Sequence, residues 1–522
     1  MPQGKVYPLA LAASLLFTAQ APAQTAAATG PAPAPAAAEA PAHSSAGAPR
    51  PGPARPAAAP AEPERGRVVE ALQALADWVR GRGGTLSARV VDSDSGFVWA
   101  EFGAQSALNP ASNMKVITTA VALERLGSEF RFSTGLYGKQ EGDRVDSLVL
   151  RGQGDPSLGT EDLWQLARAL RSLGVSKVGQ ILVDQSRFDD QFVPPAFEQQ
   201  PDEWASFRAP VSAVALERNA VTLNVLPGEA GQPARAWFEP PGIVTIEGAV
   251  ETRRPGAGEG VQLSLQTRGT ELVAQLGGYA AKGMGRLRYE RRLDDPRRAP
   301  GLALRELLIA SGIQVSGAVG LGGKSDEPRL AFHESDTLGH LVSELGKNSD
   351  NFYAEMLFKA LGADATGGPA RSEDGARVVQ QWLSQHGLWS PDTRIANGSG
   401  LFDANRVSAT TISGTLLAVR QNPALYPEFL AQLAIGGVDG TLHSRFRKLR
   451  AQRIVRAKTG TLAAAVALSG YVLGPDNRSS MIFSLLVNGL EGQAAAVREH
   501  MDRVVEVIAE AQRTAAATAP VH

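Results

Sequence analysis

Cysteine is absent from all 522 residues, which excludes disulfides, thiolate metal sites, a cysteine nucleophile and a lipid-modified N-terminal cysteine. Histidine is scarce. The seven, His43, His333, His340, His386, His443, His500 and His522, form no H-E-x-x-H pair, so a zinc peptidase is not expected. Neither sign of charge dominates: 52 Lys and Arg against 53 Asp and Glu give a net charge of -1, and no electrostatic case for nucleic acid. No Rossmann or P-loop glycine pattern stands out. "NGSGL" fails as a G-x-S-x-G nucleophile elbow because position 397 is Asn. One long apolar run exists, and it lies at the N-terminus.

That run, "YPLALAASLLFTAQAPA", follows a short polar start containing Lys5 and ends in the small-x-small triplet Ala21-Pro22-Ala23. The pattern predicts a secretory signal peptide over residues 1–23, with a retained anchor as the alternative, and no transmembrane segment in the mature form. Residues 24–64 are rich in Ala and Pro without an apolar period, and read as an extended, disordered linker. Folded structure is expected from Arg65. With 43% hydrophobic residues, the remaining length is too great for one ordinary core, so two or three domains are expected.

"GRVVEALQALADWVRG" has helical spacing and ends at glycine. "LSARVVDSDSGFVWAEF" reads as a hairpin around an Asp-Ser-Asp-Ser-Gly turn. In "NPASNMKVITTAVALERLG", Pro110 suits a first helical turn and Gly127 the end. There Ser112 and Lys115, three apart, share one face. Residues 133–330 alternate short strands with Gly and Pro turns, interrupted by the helix "TEDLWQLARALRSLG", and read as one or two β-rich accessory domains. Helical signals return over "TLGHLVSELGKNSDNFYAEMLFKALG", strands over "IVRAKTGTLAAAVALSGYVLG" and "SSMIFSLLVNG", and a helix closes the chain. The two ends are therefore expected to build one sheet, with 133–330 inserted between a first part, 65–132, and a second, 331–513. Residues 514–522 are expected to be a disordered tail.

Serine-lysine catalysis requires a serine beside a lysine that can lose its proton, a second proton carrier near the leaving group, and a cation for the substrate. Ser112-x-x-Lys115 is the sole S-x-x-K in the chain. Ser349-Asp350-Asn351 is the sole S-x-N, and Lys458-Thr459-Gly460 the sole K-T-G. Taken singly, S-D-N reads as a helix cap and K-T-G as a turn. Together they stand in the order, and on the elements, that the penicillin-recognising serine enzymes require.

The chain resembles the D-alanyl-D-alanine carboxypeptidase/endopeptidases of the penicillin-binding protein 4 type over roughly residues 66 to 512. The first two motifs lie 237 positions apart (112 to 349), matching that group's large insertion. "LVLRGQGDPSL", "APVSAVALERNAVTLNV", "NGSGL" and "GGVDGTLHSRF" carry further resemblance. The group commonly has Asp where Asn397 stands and Ser where Phe402 stands. The resemblance implies an α/β (α+β) fold, an antiparallel sheet flanked by helices with β-rich inserted domains, and no metal or organic cofactor. It implies a periplasmic hydrolase of peptidoglycan stem peptides, trimming terminal D-alanine, cutting cross-links, or both, and acylated by β-lactam antibiotics.

Catalytic roles then fall to Ser112 as nucleophile, Lys115 as base and Ser349 as proton relay. Asn351 would hold Lys115 and the substrate amide, Lys458 and Thr459 the C-terminal carboxylate, and Gly460 would let substrate lie close. The amides of Ser112 and Thr461 would form an oxyanion hole. Lys115 can act as base only if burial and the neighbouring Lys458 lower its pKa. Lys458 is expected to be an exposed cleft lysine, Lys347 a solvated charge, and Asp189 part of a surface turn. A β-lactamase or esterase, and a non-catalytic peptidoglycan-binding scaffold, are the rival readings.

Overall fold

The described chain opens at Glu62, three residues ahead of the expected start. Helix α1 (Glu62–Arg80) places Val68, Leu72, Leu75, Ala76 and Val79 on one buried stripe. A computed structural model describes residues 62–200, 203–322, 326–475 and 479–517. The expected signal peptide, residues 24–61 of the expected linker, and residues 518–522 of the expected tail lie outside those residues. Residues 514–517, expected as tail, fall within the closing helix.

Strands β1 (Thr85–Asp92) and β2 (Val98–Phe102) form the expected hairpin, with Asp92 accepting from the amides of Asp94 and Ser95 across its turn. A one-turn 3-10 segment, Ala111–Asn113, precedes α2 (Met114–Leu126). Ser112 therefore sits just ahead of the α-helix rather than in its first turn.

The inserted segment holds three sheets. The first comprises β3 (Ser133–Tyr137), β4 (Gln140–Glu141), β5 (Arg144–Gly152) and β6 (Lys177–Asp184), and α3 (Thr160–Ser172) connects β5 to its parallel neighbour β6. The second comprises β7 (Ala220–Leu226), β8 (Arg235–Glu239) and, later in the chain, β13 (Leu287–Arg292). The third comprises β9 (Val244–Gly248), β10 (Glu251–Arg253), β11 (Glu259–Arg268) and β12 (Glu271–Ala281). Helix α4 (Ala299–Ala310) leads to β14 (Gln314–Val315), β15 (Val319–Leu321) and β16 (Arg329–Glu334), which complete the first sheet. The apolar side chains of this segment form their own cluster, centred on Leu150, Ile181, Leu223 and Leu304.

Helices α5 (Leu338–Asn348), α6 (Asn351–Thr366), α7 (Ser372–Gln385), α8 (Ala409–Gln421) and α9 (Tyr426–Gln432) follow. Then come β17 (Ala434–Ile435), β18 (Val455–Thr461), β19 (Ala465–Val472), β20 (Met481–Asn488) and α10 (Ala494–Ala517). One antiparallel sheet, ordered β17-β18-β19-β20-β1-β2, unites strands from both ends of the described chain. Strand β20 is apolar and buried along both faces, as a central strand covered on both sides must be. Its Phe483, Leu485 and Val487 pack with α1 and α10, while Ile482 and Leu486 pack with α2, α6 and α8. Each such side chain contributes on the order of 1.5–3 kcal/mol on burial. Helix α6 is buried from Phe352 to Ala363, consistent with an element enclosed by α2, α5 and α7. Among the described residues no helix is long and apolar enough to cross a membrane.

Candidate active site

Ser112 is half-buried at the end of the sheet, where the 3-10 turn meets β18 and β19. Its turn is tightly held. Ala111 adopts φ 45°, and its amide donates to Asn109 Oδ1 at 2.9 Å. Asn113 points into the sheet, its Nδ2 donating to the carbonyl of Lys458 (2.9 Å) and its Oδ1 accepting from Ser469 Oγ (2.7 Å).

One turn later, Lys115 is fully buried. Its Nζ donates to Ser112 Oγ at 3.1 Å, Asn351 Oδ1 at 2.7 Å and the carbonyl of Ser399 at 2.8 Å. Burial disfavours the ammonium and lowers its pKa to about 7, while the carboxylates of Glu355 and Asp350 hold it up. Burial thus acts on Lys115 as the sequence expectation required, while Lys458, expected to act with it, is not among the causes of the shift.

Within the helical signals of 337–362 the chain breaks at Ser349, which takes φ 57°. Asp350 then caps α6, its Oδ1 accepting from the amide of Tyr353 at 3.0 Å. The motif is thus a helix cap and also a wall of the site, for the break aims Ser349 and Asn351 at the two lysines. Lys458 Nζ donates to Ser349 Oγ at 2.7 Å and to the carbonyl of Thr459 at 2.9 Å.

Lys458 is not an exposed cleft lysine: it is 1% exposed. Burial lowers its pKa well below the usual lysine value, and the neighbouring Lys115 lowers it further. The K-T-G run lies within β18 rather than in a turn. On one side, Lys458 to Thr461 pair with Ser469 to Val466 of β19. On the other, β17 reaches only Ala457 and Arg456. Gly460 is required by space, since a Cβ there would come within 2.9 Å of the Pro110 carbonyl and 3.0 Å of the Ser112 amide nitrogen. Thr459 Oγ1 donates to Thr441 Oγ1 at 2.8 Å, and the exposed Thr461 accepts at Oγ1 from Arg498 at 3.1 Å.

The "NGSGL" loop supplies what sequence reasoning missed. Glu355, one turn beyond Asn351 on α6, is fully buried, and its two oxygens accept from the amides of Gly398 (3.2 Å) and Ser399 (2.8 Å). Burial raises its pKa, opposed by those hydrogen bonds and by Lys115. Asn397, where Asp is common in the resembled group, is completely buried. It donates to the carbonyls of Pro195 and Leu401 and accepts from the amide of Gly400 and from Asn405 Nδ2. Gly400 has φ 76°, and a Cβ there would fall 1.9 Å from the Ala111 carbonyl oxygen. Phe402, in place of the common Ser, packs edge-on against Phe197 at 5.7 Å. Both departures therefore tie this loop to the inserted segment. No local signal in the sequence marks Glu355, because its partners lie 43 and 44 positions away.

Two further expectations fail. Lys347 is not a solvated charge, for it pairs with Asp439 at 2.7 Å and donates to the Leu433 carbonyl at 2.8 Å. Asp439 in turn accepts from the Ile435 amide at 2.7 Å, so this pair fixes the loop that carries Thr441. Asp189 is not on a free surface turn. It is paired at 2.5 Å with the buried Lys359 of α6, and its own amide donates to the Ala370 carbonyl. Among the described residues no group of three or more His, Asp or Glu converges as a metal site.

The arrangement brings together the Ser112 hydroxyl, a buried lysine whose pKa is lowered to about 7, a second hydroxyl-lysine pair and an open strand edge. Residues 70–511 match the family model described as D-Ala-D-Ala carboxypeptidase 3 (S13). A D-alanyl-D-alanine carboxypeptidase of Actinomadura sp. (strain R39) is 31% identical over 463 residues, covering 84% of this chain and 85% of that protein. The D-alanyl-D-alanine carboxypeptidase DacB of Haemophilus influenzae is 26% identical over 409 residues, covering 75% and 82%. The crystal structure of penicillin binding protein 4 from Haemophilus influenzae superposes with a TM-score of 0.70 at 23% identity, covering 83% of this chain and 98% of that one. That structural likeness is one of fold.

Proposed function

We propose, from the premise that this chain belongs to the D-Ala-D-Ala carboxypeptidase 3 (S13) family of hydrolases, that Ser112 is the nucleophile of a serine DD-peptidase acting on peptidoglycan stem peptides. The observation that carries the assignment is the Lys115 amine, 3.1 Å from Ser112 Oγ in a buried setting that brings its pKa to about 7. A neutral amine there accepts the Ser112 proton as Oγ attacks the carbonyl carbon of the penultimate D-alanine. The amides of Ser112 and Thr461 stabilise the resulting oxyanion. As the C–N bond breaks, Ser349, bonded to Lys458, hands a proton to the departing nitrogen. Water then hydrolyses the Ser112 ester.

Substrate enters as an extended strand along the edge of β18 that β17 leaves open. Asn351 holds the peptide amide, and Lys458 and Thr459 receive the terminal carboxylate. Gly460 keeps the strand low enough for the scissile carbonyl to approach Ser112. The same attack opens a β-lactam ring. There the amine stays tethered to the acyl group and blocks the water, so penicillin leaves a long-lived adduct. The enzyme works in the periplasm, since its substrate lies outside the cytoplasmic membrane and residues 1–23 carry the signal-peptide pattern. Terminal D-alanine is one leaving group, and the side-chain amine of a cross-linking diaminopimelate is another.

Intact-mass spectrometry after exposure to benzylpenicillin tests this, paired with chromatography of muropeptides digested by the enzyme. An adduct on the wild type, none on Ser112→Ala, and loss of D-alanine or of cross-links is the expected outcome. Rapid penicillin turnover without muropeptide cleavage would identify a β-lactamase, and neither reaction would identify a binding scaffold. An adduct that survives Ser112→Ala would remove Ser112 from its role.

A further inference from the structure

Glu217, Arg218 and Asn219 take φ values of 48°, 58° and 52°. Residues with side chains enter the left-handed region singly, because Cβ crowds the following carbonyl there, and a run of three is unusual. Such strain persists where surrounding contacts over-determine it, most often beside functional sites. Here the surroundings are visible. The Glu217 amide donates to the Leu158 carbonyl at 3.0 Å, and its Oε1 accepts from the amide and hydroxyl of Thr160, both at 2.8 Å. Asn219 is completely buried, its Nδ2 donating to the Pro210 carbonyl at 2.9 Å and to Ser212 Oγ at 3.0 Å.

Between these two anchors only Arg218 projects. Its guanidinium lies 3.4 Å from Asp350 Oδ2 and 5.2 Å from the centre of the Tyr353 ring. Asp350 is the middle residue of the S-x-N element, and its other oxygen already caps α6. The inserted segment thus grips the first turn of the helix that carries Asn351.

We propose that Arg218 is a positioning residue for the S-x-N element: the strained turn of the inserted segment aims it at Asp350, fixing Ser349 and Asn351 against the two active-site lysines. This rests on the serine-lysine reading above. A second consequence is electrostatic. Lys115 is faced by Glu355 from α6, Asp350 from the α5–α6 junction and Lys458 from β18, besides the neutral Ser112, Asn351 and the Ser399 carbonyl. Arg218 offsets the Asp350 charge. Without it Asp350 favours the Lys115 ammonium more strongly, and the neutral base appears only at higher pH.

The test uses the full chain as Arg218→Gln, Arg218→Lys and Arg218→Gly, with penicillin acylation followed against pH and peptide kcat and KM measured separately. Arg218→Gln is expected to slow acylation about fivefold, the scale of one partly exposed ion pair, and to move the acid limb upward. Arg218→Lys should restore the limb but only part of the rate, because the charge returns without the planar fork. Glycine suits φ 58°, so Arg218→Gly should melt no lower than wild type yet acylate as slowly as Arg218→Gln. Wild-type rates and limbs in Arg218→Gln and Arg218→Gly would overturn the proposal. So would a loss matched entirely by fewer titratable sites, with the surviving sites wild-type in rate. Ser112→Ala run alongside separates the two claims: an adduct there means the serine reading has failed, whereas its absence beside wild-type Arg218 variants means that only the clamp has.

Discussion

With Lys115 as the proposed base, acidification from pH 8 to pH 5 is expected to slow acylation of Ser112 about a hundredfold. Lys115 is lowered from 10.5 to about 7, with burial as the main cause. The neutral fraction of such a group falls from about nine-tenths at pH 8 to about one-hundredth at pH 5, tenfold for each unit once below the midpoint. The second-order acylation constant, measured with a fluorescent penicillin far below saturation, reports the free enzyme, where Lys115 has the surroundings described here. Its acid limb should therefore lie near pH 7 with a slope of one.

The direction of a perturbation follows from the contacts. Glu355 favours the ammonium, so Glu355→Gln should move the limb below 7, opposite to the shift expected for Arg218→Gln. Stability obeys the same linkage. Between pH 7 and 10.5 the unfolded chain holds a proton on Lys115 that the folded chain has released, so this group's contribution to folding becomes more favourable as pH rises through that window. A flat acylation profile from pH 5 to 8 with full activity throughout would show that Lys115 is not the base that activates Ser112, whereas a limb above pH 9 would show that burial does not lower it to about 7.

Gly460→Ala should reduce acylation at least tenfold while the sheet stays folded, since its methyl would press on the Pro110 carbonyl and the Ser112 amide; acylation rate and circular dichroism together check this. Lys458→Ala should abolish turnover of D-Ala-D-Ala peptides and also lower the melting temperature, because a 1% exposed side chain leaves a cavity and strips Ser349 of its partner. Native melting with unchanged kinetics would exclude it from the site. Asp189→Ala should cost about 3–5 kcal/mol in denaturant unfolding, because it strands the Lys359 ammonium in the interior without a counter-ion, beside the Gln191 carbonyl and the Phe188 ring.

By itself the sequence determined the elements whose signals are local. Apolar spacing drew α1, α2 and α10, the Asp-Ser-Asp-Ser-Gly turn drew the β1–β2 hairpin, and three sparse motifs named Ser112, Lys115, Ser349, Asn351 and Lys458 as partners. Those motifs could be paired across hundreds of positions because the chemistry tolerates few substitutes for a serine, a deprotonatable lysine and a proton relay. Burial was not legible, since a lysine's letter is the same in water and in the core. Only the packing of α2, α6 and β18 decided that Lys115 and Lys458 are enclosed, and hence that desolvation sets their basicity. The S-D-N run reads as a helix cap, but the direction of the break was hidden, and it took the α5–α6 junction to turn Ser349 into the left-handed region and aim it at Lys458. Glu355, Lys347, Asp189 and Arg218 became readable only where the folded chain brought distant segments together. The partner of each lies at least 43 positions away, and a polar contact over that separation leaves no mark in either neighbourhood of the sequence.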